Sequence, residues 1–219
     1  MGEVQVLVGG DLPTAEIVDE VMAKAKQRGF QRLVTSALEP HEAPAFAERG
    51  FTMLEELIVL SLNLDEHPHV RSPVPSNVNL KPMRRWRRDD ALAVDAQAFE
   101  PFWRLDGVTL RDAEHATLRC RSRIADANGQ IVGYCVTGGG AQQGYVQRLA
   151  VAPEAEGKGI GRALLEDGLD WLGGMGTSRV LVNTQQHNLR ALQLYRRRGF
   201  AAEPHTLSVL ECDLVEAST

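Results

Sequence analysis

Three glycines at alternate positions, Gly157, Gly159 and Gly161, break the stretch LAVAPEAEGKGIGRALL at residues 149–165, with Lys158 and Arg162 among them. Glycine admits backbone conformations barred to other residues, so successive amides of such a loop can point into one concavity. Arg162 to Leu165 then open an amphipathic helix, whose first turn adds unpaired N–H donors and partial positive charge. The guest suited to this cradle is a phosphate or pyrophosphate. The spacing is neither GxxxxGK[ST] nor GxGxxG, which excludes two common nucleotide loops. A plain strand-to-helix turn is the alternative reading.

A second cluster lies in NLRALQLYRRRGF, residues 188–200. Asn188, Ala191 and Tyr195 are three and four residues apart, so they share one stripe of a helix over 189–198. Asn188 suits the N-cap, Gly199 the left-handed position after the helix, and Arg196 to Arg198 the negative end of its dipole. A phenol, with an ordinary pKa of about 10, stays protonated at neutral pH and can donate a proton or a hydrogen bond. Capping alone accounts for Asn188 and Gly199.

Alternating and helical patterns place these clusters. The early chain reads strand 4–9, a helix from Thr14 ended by Gly29, strand 31–38, helix 41–49 and a long apolar strand 54–64. Residues 66–76, EHPHVRSPVPS, form a proline-rich linker, where His67 and His69 read as exposed linker residues and not as metal ligands. From Asn77 follow a strand, a helix over 86–99, a turn-rich stretch holding Phe102 and Trp103, and a short helix through Leu118. Strands 120–125 and 131–136 are joined by Ala127 to Gln130, where Asn-Gly signals a hairpin. A flexible turn at 138–144, strand 145–151, the glycine loop, helix 161–172, strand 179–184, helix 189–198 and a strand near 206–214 complete the order. Two strings recur, AFAERGF at 45–51 against LYRRRGF at 194–200, and RGFQRLV at 28–34 against MGTSRVL at 175–181. Residues 1–65 therefore read as a degenerate half repeat with a structural role, Phe46 standing where the later helix has Tyr195.

The order over residues 77–219, with the two motifs, resembles the GNAT acyltransferase superfamily, whose loop pattern [Q/R]-x-x-G-x-[G/A] maps onto Glu156 to Gly161. Glu156 departs from it. The resemblance implies an α/β (α+β) fold, a mixed and mostly antiparallel central sheet flanked by helices, preceded here by the partial repeat. It also implies a domain division of 1–65, 66–76 and 77–219. Acetyl-CoA would be the cofactor and an amine, of a small molecule, peptide or protein, the acceptor, with direct attack in a ternary complex. The amides of Gly157, Lys158, Gly159, Ile160, Gly161 and Arg162 would hold the pyrophosphate. The backbone of Leu149, Ala150 and Val151, on a strand splayed from its neighbour, would hold the pantetheine. Asn188 and Ala191 would line it, and Tyr195 would protonate the leaving thiolate. Strand 145–151 carries no carboxylate to serve as base, so deprotonation would run through water held by Glu100, Asp106, Tyr145 or Asn183. Phe102 and Trp103, with Phe99 and Arg104 in the loop between the first two helices, would either anchor that loop to the core or meet the acceptor.

Composition sets outer limits. In 219 residues, 43% hydrophobic and 24% charged, there is room for a sizeable core. No apolar run reaches the roughly 18 residues of a membrane helix and no secretory leader is legible, so the expected place is the cytoplasm. Cys120, Cys135 and Cys212 are too widely spaced to suggest a disulfide framework or a zinc site, and no metal is expected. Residues 1–76 hold 12 acidic and 6 basic side chains and the remainder 17 and 18, so no basic stripe exists for nucleic acid. The readings that compete with a transferase are a non-catalytic acyl-CoA sensor and an interaction module docking through the acidic N-terminal part. Strand 54–64, if its edge is left unpaired, offers a surface for a homodimer.

Overall fold

The structure is a computed structural model that describes residues 14–67 and 74–214, together with the backbone of 3–6. Residues 7–9 of the expected first strand, residues 10–13, and His69 with residues 68–73 of the linker lie outside the described residues. Contacts group the chain into two compact units, one of residues 1–59, 183–192 and 202–219, the other of 60–182 and 193–201. This grouping does not follow the chain order of the three segments expected from sequence.

In the first unit, β1 (Glu3–Val6) runs parallel to β2 (Arg32–Thr35), and β2 is antiparallel to β9 (Ala201–Asp213). Helix α1 (Ala15–Gln27) starts where Thr14 accepts a hydrogen bond from Ile17 N at 3.4 Å. It buries Val18 and Ala25 against Leu33, Leu38, Phe46, Phe51, Leu210 and Leu214. The short α2 (Ala43–Ala47) contributes Phe46, stacked edge to face on Phe51 at 5.2 Å. The long strand is β3 (Thr52–Asn63). In the strand order it has β9 on one side and β8 (Arg179–Gln185) on the other. The dimer edge expected at 54–64 is therefore consumed by strand pairing within the chain.

The second unit is an antiparallel run of β4 (Val78–Pro82), β5 (Arg119–Ala127), β6 (Gln130–Gly139) and β7 (Gln143–Val151), with β8 parallel to β7. Helices α3 (Arg88–Ala98), α4 (Gly107–His115) and α5 (Ile160–Gly174) flank it, and α6 (Leu189–Arg198) crosses from one unit's residues to the other's. The β5–β6 turn is tighter than expected: only Asn128 (φ 54°) and Gly129 (φ 93°) lie outside the strands, both in the left-handed region that a two-residue hairpin demands.

The expected flexible turn at 138–144 is mostly strand. A Cβ on Gly138 would lie 2.1 Å from Thr117 Oγ1 and 2.7 Å from Gln147 Oε1. Glycine there serves close approach, which a sequence pattern cannot tell from a turn. Helix α4 also stops three residues before the expected Leu118, which is 97% exposed.

Candidate functional site

Strand β7 delivers the chain to the glycine loop. Its pairing with β8 is confined to Gln143–Tyr145, opposite Arg179–Leu181, and beyond Tyr145 the two strands part. The other edge of β7 stays paired to β6 through Gly133↔Val151, so the strand is fixed while its β8 side is open. Leu149 and Val151 are half-buried and Ala150 is buried. Ala150 and Val151 end the strand, Pro153–Ala155 make a single tight turn, and the loop begins.

Gly157 (φ 72°) and Gly159 (φ 82°) are left-handed, with nothing within 4 Å of an imagined Cβ on either. Glycine is needed there by backbone angle, not by crowding. Gly159 is also the N-cap of α5, and it offers no side chain to satisfy the first amides. No amide from Gly157 to Arg162 has a hydrogen-bond acceptor among the described residues. Gly161 differs from the other two glycines: it is helical, with Val151 Cγ2 3.5 Å and Leu194 Cδ2 3.7 Å from where its Cβ would be. Ile160 is buried, its Cγ2 packed toward Gly133, so only its N–H faces a guest. Lys158 Nζ is turned to Glu154 O at 2.7 Å, Arg162 is exposed, and Glu156 is half-exposed. The orphan amides, the helix end and Arg162 fit a pyrophosphate.

In α6, the Asn188 carboxamide oxygen accepts Ala191 N at 3.1 Å, the capping role expected of it. Tyr195, one turn further on, is 5% exposed and lies 5.5 Å from Phe200. Burial first, then the Cys135 thiol, raise its ionisation above the ordinary phenol value, and Arg148 opposes them in part. Its hydroxyl has no hydrogen-bond partner among the described residues, so a protonated phenol stands ready for one. Burial likewise pushes the Cys135 thiol up to about 12, which makes it inert at neutral pH. Arg198 Nε meets the buried Glu166 carboxylate at 2.9 Å, tying the Tyr195 end of α6 to α5.

Of the water-holding candidates, Asp106 is otherwise engaged. Its carboxylate caps α4, accepting Val108 N and Thr109 N at 2.8 Å each, and those bonds, led by the one from Thr109 N, lower its pKa. A carboxylate so held is a poor base. Glu100 and Asn183 are exposed, and Tyr145 receives a hydrogen bond from Gln143 Nε2. Phe102 and Trp103 stack edge to face at 4.8 Å in a single tight turn, Pro101–Trp103.

The sequence reading missed Asp95. The buried face of α3 is Ala91, Val94 and Asp95. Asp95 is fully buried and accepts four hydrogen bonds: Arg148 Nε at 2.7 Å, Arg148 Nη2 at 2.8 Å, Tyr134 OH at 2.5 Å and Leu105 N at 2.8 Å. The signal was legible, since a carboxylate four residues from Ala91 and from Phe99 lies on an apolar face.

No helix among the described residues is long and apolar enough to cross a membrane, and no three His, Cys, Asp or Glu side chains among them gather as for a metal.

The family model described as "Acetyltransferase (GNAT) family" matches residues 80–200. A mycothiol acetyltransferase of Pseudarthrobacter chlorophenolicus is 30% identical over 200 residues, covering 82% of this chain and 60% of the relative. One from an Arthrobacter species is also 30% identical, over 84% of this chain and 62% of its own length. The chain thus spans less than two thirds of these curated relatives. Among solved structures, a tandem GNAT protein of the clavulanic acid biosynthesis pathway superposes with a TM-score of 0.69 at 15% identity, over 93% of this chain and 70% of that one. A GCN5-related N-acetyltransferase from Sphaerobacter thermophilus gives 0.65 at 18% identity, over 92% and 68%. At those identities the likeness is one of fold.

Proposed function

Because the chain belongs to the GNAT acetyltransferase family, we propose that it moves the acetyl group of acetyl-CoA to a primary amine by direct attack on the thioester in a ternary complex. The carrying observation is the end of β7, where pairing with β8 stops at Tyr145 and the strand runs on into a loop of unpaired amides. Bound acetyl-CoA supplies an activated acyl group.

Amides of Gly157 to Arg162 hold the pyrophosphate, and the open edge of Leu149 to Val151 pairs with the amides of the pantetheine arm. Helix α6 presents Asn188, Ala191 and Tyr195 along one stripe. The amine nitrogen bonds to the thioester carbon, the carbon–sulfur bond breaks, and Tyr195 gives its proton to the departing sulfur. Positioning and backbone polarisation supply most of the rate. With Asp106 engaged as a cap, the ammonium proton leaves through water near Tyr145 and Asn183. Phe102 and Trp103 receive the acceptor's apolar body. Residues 77–219 are the catalytic segment, 66–76 a linker and 1–65 a structural half repeat. Supporting that repeat, Gly50 and Gly199 end their helices alike, each followed by a Phe whose amide bonds back to residue 46 or 195.

Calorimetric titration with acetyl-CoA, followed by thiol release against amines from phenethylamine and glucosamine to lysine and N-terminal peptides, tests the reading. The curated relatives' names make acceptors of mycothiol acetylation the next to try. Binding with release for one amine supports the transferase. The absence of a carboxylate on β7 favours one second reading, an acyl-CoA sensor, for which binding without release would speak. No binding would overturn both.

A further inference from the structure

The acceptor side of the second unit is built on a buried charge pair that the glycine-loop chemistry does not use. Asp95 comes from α3 and Arg148 from β7, and the segment between α3 and α4, residues 99–106, closes over both. Three residues of that segment, Phe99, Trp103 and Leu105, are tied to the pair. The Leu105 amide donates to Asp95 Oδ1 at 2.8 Å, Arg148 Nη2 donates to Trp103 O at 2.7 Å, and the guanidinium lies 3.4 Å above the centre of the Phe99 ring. Tyr134 OH, on β6, fills the remaining Asp95 lone pair at 2.5 Å. With Phe99 engaged beneath the guanidinium, Phe102 is the aromatic of this segment left facing outward, 37% exposed.

We propose that Asp95 and Arg148 are positioning residues for the acetyl acceptor: their fork-to-fork pair clamps residues 99–105 onto β7 and so sets where Phe102 and Trp103 meet the amine. This rests on the transferase reading given above. The physical case is geometric. A bidentate guanidinium–carboxylate pair fixes orientation as well as distance, and a guanidinium stacks on an aromatic face where an ammonium cannot match it. Arg148 uses both properties at once, and its second Nη2 bond reaches a main-chain oxygen, so it holds the backbone of the segment and not only a side chain. The strand that ends in the coenzyme loop thereby also carries the anchor of the acceptor segment. One strand sets the register between donor and acceptor.

The roles separate by variant. Arg148→Lys keeps the charge and loses the fork and the stack, while the double variant Asp95→Leu with Arg148→Met removes both charges and leaves neither buried alone, a change that buried pairs often tolerate. In the double variant the Leu105 amide loses its acceptor, so its hydrogen exchange is expected to quicken by about tenfold or more, with protection at residues 157–165 unchanged. Thiol release from acetyl-CoA, with phenethylamine or the panel amine turned over fastest, should show acceptor KM raised about tenfold and coenzyme Kd within about twofold. Arg148→Lys should fall between wild type and the double variant. Unchanged exchange at Leu105, or coenzyme Kd and acceptor KM worsening together, would overturn the clamp. Failure of the wild type to bind acetyl-CoA would strike the transferase reading instead, and the exchange measurement would still decide whether the pair holds the segment.

Discussion

Arg148 meets Asp95 through Nε at 2.7 Å and Nη2 at 2.8 Å, so that the strand leading to the glycine loop and the helix leading to residues 99–106 share one buried ion pair. The proposed coenzyme-binding and acceptor roles fall on different residues, and the expected outcomes differ at each position.

Tyr195→Phe removes the proton and keeps the ring on Phe200. Loss of a general acid costs about 10²–10⁴ in rate, so kcat should fall by at least the lower figure while calorimetry with acetyl-CoA finds the affinity almost unchanged. An undiminished kcat would assign protonation of the leaving sulfur to water.

Gly159→Ala meets no atom within 4 Å, so its effect isolates backbone angle. Holding alanine at φ 82° costs about 1–2 kcal/mol, and either the loop relaxes or the protein is destabilised by that amount. Coenzyme affinity is expected to weaken by about tenfold, with Gly159→Asn milder because asparagine tolerates the left-handed region better. Equal affinities for all three proteins would show that the loop angle does not matter to binding.

Arg162→Ala and Lys158→Ala should not be equivalent. The Lys158 ammonium is turned to the Glu154 carbonyl, whereas Arg162 has no ion pair among the described residues. A charged hydrogen bond contributes about 1.5–3 kcal/mol, so the Arg162 variant is expected to bind acetyl-CoA about tenfold or more weakly. The Lys158 variant should lose less, and added salt should narrow both differences.

Asp106→Ala tests structure against chemistry. Loss of the α4 cap costs about 1 kcal/mol at neutral pH. The folded pKa lies below the unfolded value, so the carboxylate's contribution is fully present above pH about 4 and is lost as pH falls through the lowered folded value. Urea midpoints of wild type and variant should therefore converge on acidification. Thiol release at neutral pH should be unaffected, and a collapse of kcat in a folded variant would restore Asp106 as a holder of the deprotonating water.

The glycine loop and the α6 stripe were legible because each rests on local rules: left-handed glycines, a helix N-terminus, caps and a period of 3.6. Gly138 shows the limit of such rules, since its glycine answers a threonine and a glutamine brought near by the sheet. Asp95 shows another. Its position on the apolar face was readable, but its partner lies 53 residues away on a strand, and pairing across that distance is a property of the fold. Whether strand 54–64 keeps an unpaired edge was unreadable for the same reason, because the strand neighbours of β3 come from distant parts of the chain.

The parting of β7 and β8 leaves main-chain donors and acceptors in the interior of a sheet, where a missing strand would otherwise lie. A gap of that kind is a mould: it selects any extended molecule that carries amide groups at peptide-like intervals and rejects one that cannot hydrogen-bond along its length. On the proposed reading, selectivity for a long amide-bearing carrier would be written in the main chain, and substitution of the side chains around it would tune affinity without erasing that preference.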